Sequence, residues 1–142
     1  MKKIKILIPV YNDWQSAFKL LENIDHELQA WDDGVAHISV VIVNDASTEE
    51  RPVSNSIFNN LKSIQVINMK ENKGHARCNA AGLKYIAENG DFDLVIPMDG
   101  DGEDRPEEIG PLLCKGYEDS EKVITANRVK RSEGFIFKFC YL

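Results

Sequence analysis

The sequence predicts an α/β domain built on a Rossmann-like, mostly parallel sheet with helices on both faces. Three observations carry this. Short runs of branched aliphatic residues recur along the chain and are apolar throughout, as strands buried on both faces require. Amphipathic helical patterns separate them, and strand–helix–strand alternation is the mark of parallel pairing. The length of 142 residues suits one hydrophobic core.

Ile4–Val10 is the first strand, rich in Ile, Leu and Val. Residues 13–31 then place Trp14, Ala17, Phe18, Leu21, Ile24, Leu28 and Trp31 at three- and four-residue spacings, one stripe of a helix capped by Asn12 or Asp13. Ile38–Val43 and Ile64–Met69 are the second and third strands. Between them, 46–61 reads as a polar loop with a short helix around Ile57–Leu61. Residues 75–89 form a helix with Ala76, Ala80, Leu83, Ile86 and Ala87 inward, stopped at Asn89-Gly90. Phe92–Met98 is the fourth strand. Pro106-Glu107-Glu108 opens another helix, because proline suits the first turn and acids suit the positive end of the dipole. Lys122–Ala126 is the fifth strand.

Apolar residues make up 43% and charged residues 28%, so the chain folds rather than staying disordered. The charge is 17 − 23 = −6, so the chain lacks the excess of basic residues that coats nucleic acid. Cys78, Cys114 and Cys140 show neither a zinc spacing nor a disulfide framework, which favours reduced thiols in the cytoplasm. Met1-Lys2-Lys3 before Ile6–Val10 is no signal peptide, because the apolar run is too short. No stretch reaches the roughly 18 apolar residues of a membrane span. The α/β domain is expected over 1–127. Residues 128–142 are expected to begin an acceptor or membrane-interface segment, with Phe135, Ile136, Phe137, Phe139, Tyr141 and Leu142 as an apolar cluster awaiting a partner, a bilayer surface or further chain.

Ligands of open parallel sheets bind outside the carboxyl ends of the strands. The polar signals fall there: Tyr11-Asn12-Asp13 after the first strand, Asn44-Asp45-Ala46-Ser47-Thr48 after the second, and Asp99-Gly100-Asp101-Gly102-Glu103-Asp104 after the fourth. Acids and amides also cap turns, which is the plainer reading of Asn12, Asp13 and Ser47. The last segment asks for more. In an extended strand Asp99, Asp101 and Glu103 share one side, and like charges about 4 Å apart repel by roughly 4 kcal/mol per pair at an effective dielectric near 20. A hard divalent cation, Mg²⁺ or Mn²⁺, would relieve that and would be completed by substrate phosphates. An EF-hand is excluded, because its sixth position is Asp104 instead of Gly and its twelfth is Gly110 instead of Glu. No Walker loop and no GxGxxG are present. What remains is a nucleoside diphosphate ligand held through a metal, with Asp45 placed to meet base or ribose.

Ile8-Pro9-Val10-Tyr11-Asn12, Val43–Thr48, Asn72-Lys73-Gly74-His75 through Ala81-Gly82, and Met98–Glu107 occur in that order. Together they resemble the nucleotide-sugar half of the family-two inverting glycosyltransferases of GT-A type, with the best fit to the polyprenyl-phosphate branch. The resemblance covers nearly the whole chain. It implies that Pro9, Tyr11 and Asn12 line the base pocket and that Asp45 hydrogen-bonds the base. It implies that Asp99 and Asp101 are the DxD acids that bind the metal and the sugar diphosphate. Glu103 stands where this branch carries Gln as a further metal ligand. Gly74 and His75 border the nucleotide, and Arg128 meets the phosphates. Asn44 replaces a common Asp, which bears on base or ribose contacts.

The activity so implied is transfer of a sugar from a nucleotide sugar to an acceptor, a polyprenyl phosphate or a sugar hydroxyl, at the cytoplasmic face of a membrane. A hydroxyl acceptor needs a general base, expected beyond Leu142. Arg128, Lys130 and Arg131 beside the aromatic tail fit contact with a phosphate or a bilayer. Two other readings compete: a receiver domain phosphorylated at Asp93, and a nucleotide-binding module without catalysis.

Overall fold

The computed structural model describes residues 2–31, 35–53, 56–118 and 122–125. The strands are β1 (Lys2–Val10), β2 (Ala36–Asn44), β3 (Ser63–Asn68) and β4 (Leu94–Pro97), and the helices are α1 (Trp14–Leu28), α2 (His75–Asn89) and α3 (Ile109–Glu118). The chain divides into two units, Met1–Ile109 and Gly110–Leu142. The expected boundary at 127/128 lies outside the described residues.

All strand pairs are parallel, in the order β3-β2-β1-β4. β1 and β2 pair along their full length, from Lys2 opposite Ala36 to Val10 opposite Asn44. Their interiors are the continuous apolar runs seen in the sequence, and Ile6, Leu7, Ile8, Val40 and Val43 are fully buried. The chain order reverses at β1. From β1 it runs outward to β2 and β3, then returns through α2 to place β4 on the other side. The crevice between the carboxyl ends of β1 and β4 is the topological switch point, where open α/β sheets bind ligands.

Strand alternation sends Leu7, Val41 and Val43 to one face, where they cluster with Cys78 and Ile86 of α2. The other face meets α1, which buries Trp14, Ala17, Leu20, Leu21, Ile24 and Leu28. Asp13 caps α1, its carboxylate accepting from the Ser16 amide at 3.3 Å.

The inward face of α2 differs from the expected one. Cys78, Gly82 and Ile86 are buried, whereas Ala76, Ala80 and Ala87 are exposed and Leu83 is 42% exposed. Close approach to the sheet decided this over hydrophobicity. A methyl on Gly82 would sit 2.4 Å from Leu7 Cδ1 and 2.7 Å from Val43 Cγ2, so any side chain there forces these neighbours or the helix to shift.

The expected short helix at Ile57–Leu61 does not form. The amides of Asn59, Asn60 and Leu61 donate instead to the carboxylate of Asp25 on α1, at 3.3, 2.8 and 3.1 Å. Pro106–Glu108 opens α3 as a 3-10 turn, with proline in the expected first turn. The expected strand at Lys122–Ala126 is not seen: residues 122–125 lie in no strand, and Ala126 lies outside the described residues. Val123 is 91% exposed, and β-branched residues make strands only against a surface they can cover.

Gly82→Ala should lower the unfolding free energy by about 1–3 kcal/mol, because the methyl overpacks two fully buried side chains. Urea denaturation measures it, and an unchanged midpoint would mean that the helix can retreat.

Candidate functional site

Parallel pairing carries the loops after β1, β2 and β4 to one edge of the sheet. The loop after β1 turns at Asn12, whose φ of 55° is left-handed. Asn12 then ties this loop to the one after β2. Its Oδ1 accepts from the amides of Thr48 (2.8 Å) and Glu49 (3.1 Å), its Nδ2 donates to Thr48 Oγ1 (2.9 Å), and its own amide donates to Ser47 Oγ (3.0 Å). Asparagine tolerates this backbone conformation. Ala46 also has a φ of 55° and has no such tolerance, so the surrounding bonds must hold it. The Asp45 amide donates to Val10 O at 2.8 Å, and the Ser47 amide to Asn44 Oδ1 at 2.9 Å. Tyr11 is 49% exposed at the same edge, and Pro9 is half-buried within β1.

Asp45 is 3% exposed, the one buried charged or polar residue among those described. Its Oδ1 accepts from the Lys73 amide and its Oδ2 from the Gly74 amide, both at 2.8 Å. The two bonds make Asp45 a clamp on the loop that opens α2, a role beside the base contact that sequence reasoning assigns to it. Gly74 enters that helix at a φ of 83°, which suits glycine. The adjacent thiol of Cys78 is pushed up to about 11, chiefly by burial and then by the charge of Asp45. Asn44 donates to Asn68 Oδ1 at 2.9 Å, so it joins the ends of β2 and β3, a task its sequence position did not reveal.

The acidic segment is not extended, contrary to expectation. Residues 100–103 form a turn with Gly102 at a φ of 85°, closed by the Asp99 amide donating to Asp104 Oδ2 (2.7 Å) and the Glu103 amide to Asp101 Oδ1 (2.9 Å). Glycines at 100 and 102 favour the turn, so the alternation of an extended strand does not apply. Among the described residues no three His, Cys, Asp or Glu side chains converge to hold a metal ion. The extended geometry expected for Asp99, Asp101 and Glu103 is therefore corrected to a turn. The hard oxygens of Asp99 and Asp101 still suit an ion that takes one or two carboxylates and draws its other ligands from phosphates and water. His75 Nε2 lies 3.4 Å from Asp99 Oδ1, bringing the α2 loop to the acidic turn.

A cleft of about 990 Å³ opens beside this turn. Gln15, Ser16 and Lys19 of α1 line one side, Pro52 and Val53 another, and Asp101, Asp104 and Arg105 a third. Arg128, Lys130, Arg131 and the tail assigned to a membrane lie outside the described residues. No helix among those described is long and apolar enough to cross a membrane.

Residues 5–139 match the sequence model of Glycosyl transferase family 2. The chain belongs to that family. It is 31% identical, over 97% of its length, to an undecaprenyl-phosphate 4-deoxy-4-formamido-L-arabinose transferase of Photorhabdus laumondii, and 27% identical over 94% to the enzyme of that name from an Enterobacter species. It spans 41% and 39% of those two proteins. In fold it is similar to Staphylococcus aureus TarS in complex with UDP, with a TM-score of 0.57 at 20% identity over 83% of this chain and 33% of that one. It is also similar to a mannosyltransferase of Pyrobaculum calidifontis in complex with GDP-mannose and Mn²⁺, with a TM-score of 0.51 at 20% identity over 70% and 28%.

Family membership overturns the receiver-domain reading, and the geometry agrees. Asp93 precedes β4 at the opposite edge of the sheet, where its carboxylate accepts from the Lys3 amide at 2.7 Å and pairs with Lys2 at 3.1 Å. Those bonds, the Lys3 amide first, hold its carboxyl below the usual range.

Asp45→Asn should release the loop before α2, because an amide offers one acceptor oxygen where the carboxylate offers two. Hydrogen exchange at Lys73 and Gly74 should accelerate, with about 1–3 kcal/mol lost from the fold. Unchanged protection of both amides would contradict the clamp.

Proposed function

We propose that this chain is the donor-binding part of a transferase that takes a sugar from a nucleoside diphosphate sugar. The observation that carries the proposal is the gathering of the loops after β1, β2 and β4 at the switch point of a family 2 chain. Pro9, Tyr11 and Asn12 border the base, with Asp45 holding the adjoining loop in place. Gly74 and His75 lie along the diphosphate, and Arg128 is assigned to the same phosphates. Asp99 and Asp101, with Glu103 as a further ligand, would hold Mg²⁺ or Mn²⁺, which when bound neutralises the charge of the departing diphosphate.

The acceptor oxygen attacks the anomeric carbon, the glycosidic bond to the diphosphate breaks, and the configuration inverts. The likeness to undecaprenyl-phosphate transferases favours a polyprenyl phosphate acceptor. Such a phosphate is already ionised and asks no general base of the protein. A cytoplasmic location at the membrane surface follows from that acceptor.

Calorimetry with UDP-, GDP- and TDP-sugars, with and without Mn²⁺, tests the proposal. One donor should bind with the metal and weaken at least roughly tenfold in Asp101→Ala, as loss of a metal-site group does. Binding indifferent to Mn²⁺ would count against it, as would no binding by folded protein.

A further inference from the structure

We infer that Asn79 and His75 form a positioning pair that orients the carboxylate of Asp99, an inference that rests on the proposed donor site. The two residues are four apart on α2 and so share a face of the helix. His75 Nε2 lies 3.0 Å from the side-chain amide of Asn79 and 3.4 Å from Asp99 Oδ1. One ring nitrogen thus stands between an amide on its own helix and an acid on the turn after β4.

The chemistry of that nitrogen fixes the arrangement. An ionised carboxylate only accepts, so contact with Asp99 requires the proton of His75 on Nε2. With that proton in place, the Asn79 atom facing Nε2 must be an acceptor, its carbonyl oxygen. The opposite amide orientation leaves Asn79 Oδ1 buried with no hydrogen-bond partner. The two ends of an amide have the same shape, so partners decide between them. Turning the carbonyl to His75 gives Oδ1 its partner, moves Nδ2 to the buried position, and places Nε2–H between Asn79 at 3.0 Å and Asp99 at 3.4 Å.

The exposed imidazole would otherwise be free to leave the turn. Asn79, half-buried on the helix, limits its rotation, and the Asp45 clamp on Lys73 and Gly74 fixes the helix start from which His75 projects. This role is separate from the place of His75 along the diphosphate, and Asn79 need not touch the donor. The pair acts through Asp99, in the manner of outer partners that fix the ligands of an ion.

Two measurements at one fixed pH test this. The first is free of ligand: the carboxyl-carbon NMR signal of Asp99. It should move in His75→Ala and in Asn79→Ala, and an Asp99 signal indifferent to both would overturn the inference. The second is Mn²⁺ binding, read by electron paramagnetic resonance, in the presence of UDP and separately of GDP. His75→Ala and Asn79→Ala should each weaken it roughly tenfold. His75→Gln, whose terminal amide can donate to the same oxygen, should restore most of it. The double alanine variant should be no worse than His75→Ala, because Asn79 acts through His75. Additive losses, or a Gln variant as poor as the Ala variant, would overturn the pair. Wild-type protein that binds no Mn²⁺ with either nucleotide would instead count against the donor site, with the NMR signal still deciding the contact.

Discussion

Parallel pairing of β1 with both β2 and β4 is the constraint on which the site depends. It forces the carboxyl ends of three strands onto one edge, and each strand runs directly into a polar loop. Neither β1 nor β2 can slip its register. Both are buried on two faces, and α2 approaches them closely enough that Gly82 has no space for a methyl against Leu7 and Val43. The edge is therefore as well defined as the core.

Rigidity at that edge comes from side chains that accept backbone amides. Asn12 holds the start of the loop after β2, Asp45 holds the loop before α2, and Asp104 closes the acidic turn. Each uses a carbonyl or carboxylate to satisfy amides that no strand or helix takes up. The left-handed backbone at Ala46 sits within this network. Strain of that kind costs on the order of 1–3 kcal/mol per residue and persists where surrounding bonds over-determine it. The edge where the three loops meet is thus shaped by its own bonds.

Much of this was legible in the sequence. Continuous Ile/Leu/Val runs gave β1 and β2, and helical spacing with Asp13 gave α1. The order of motifs pointed to the family. What was hidden depended on contacts between distant residues. Hydrophobicity placed Ile86 of α2 correctly but turned Ala76, Ala80, Leu83 and Ala87 inward, because the decisive residue, Gly82, has no side chain to count. Alternation misplaced Asp101 and Glu103 because the glycines around Asp101 break the strand. The clamp role of Asp45 was hidden because its amide partners, Lys73 and Gly74, lie nearly thirty residues on. Asn79 carried a signal that could have been found, its four-residue spacing from His75 on one helix.

The most direct measurement is a crystal structure of the chain grown with Mn²⁺ and the nucleotide it binds. The diphosphate should lie at the crevice between the carboxyl ends of β1 and β4, with the metal against Asp99 and Asp101. A nucleotide lodged instead at the opposite edge of the sheet, beside Asp93 and Lys2, with the acidic turn facing bulk water, would contradict the account.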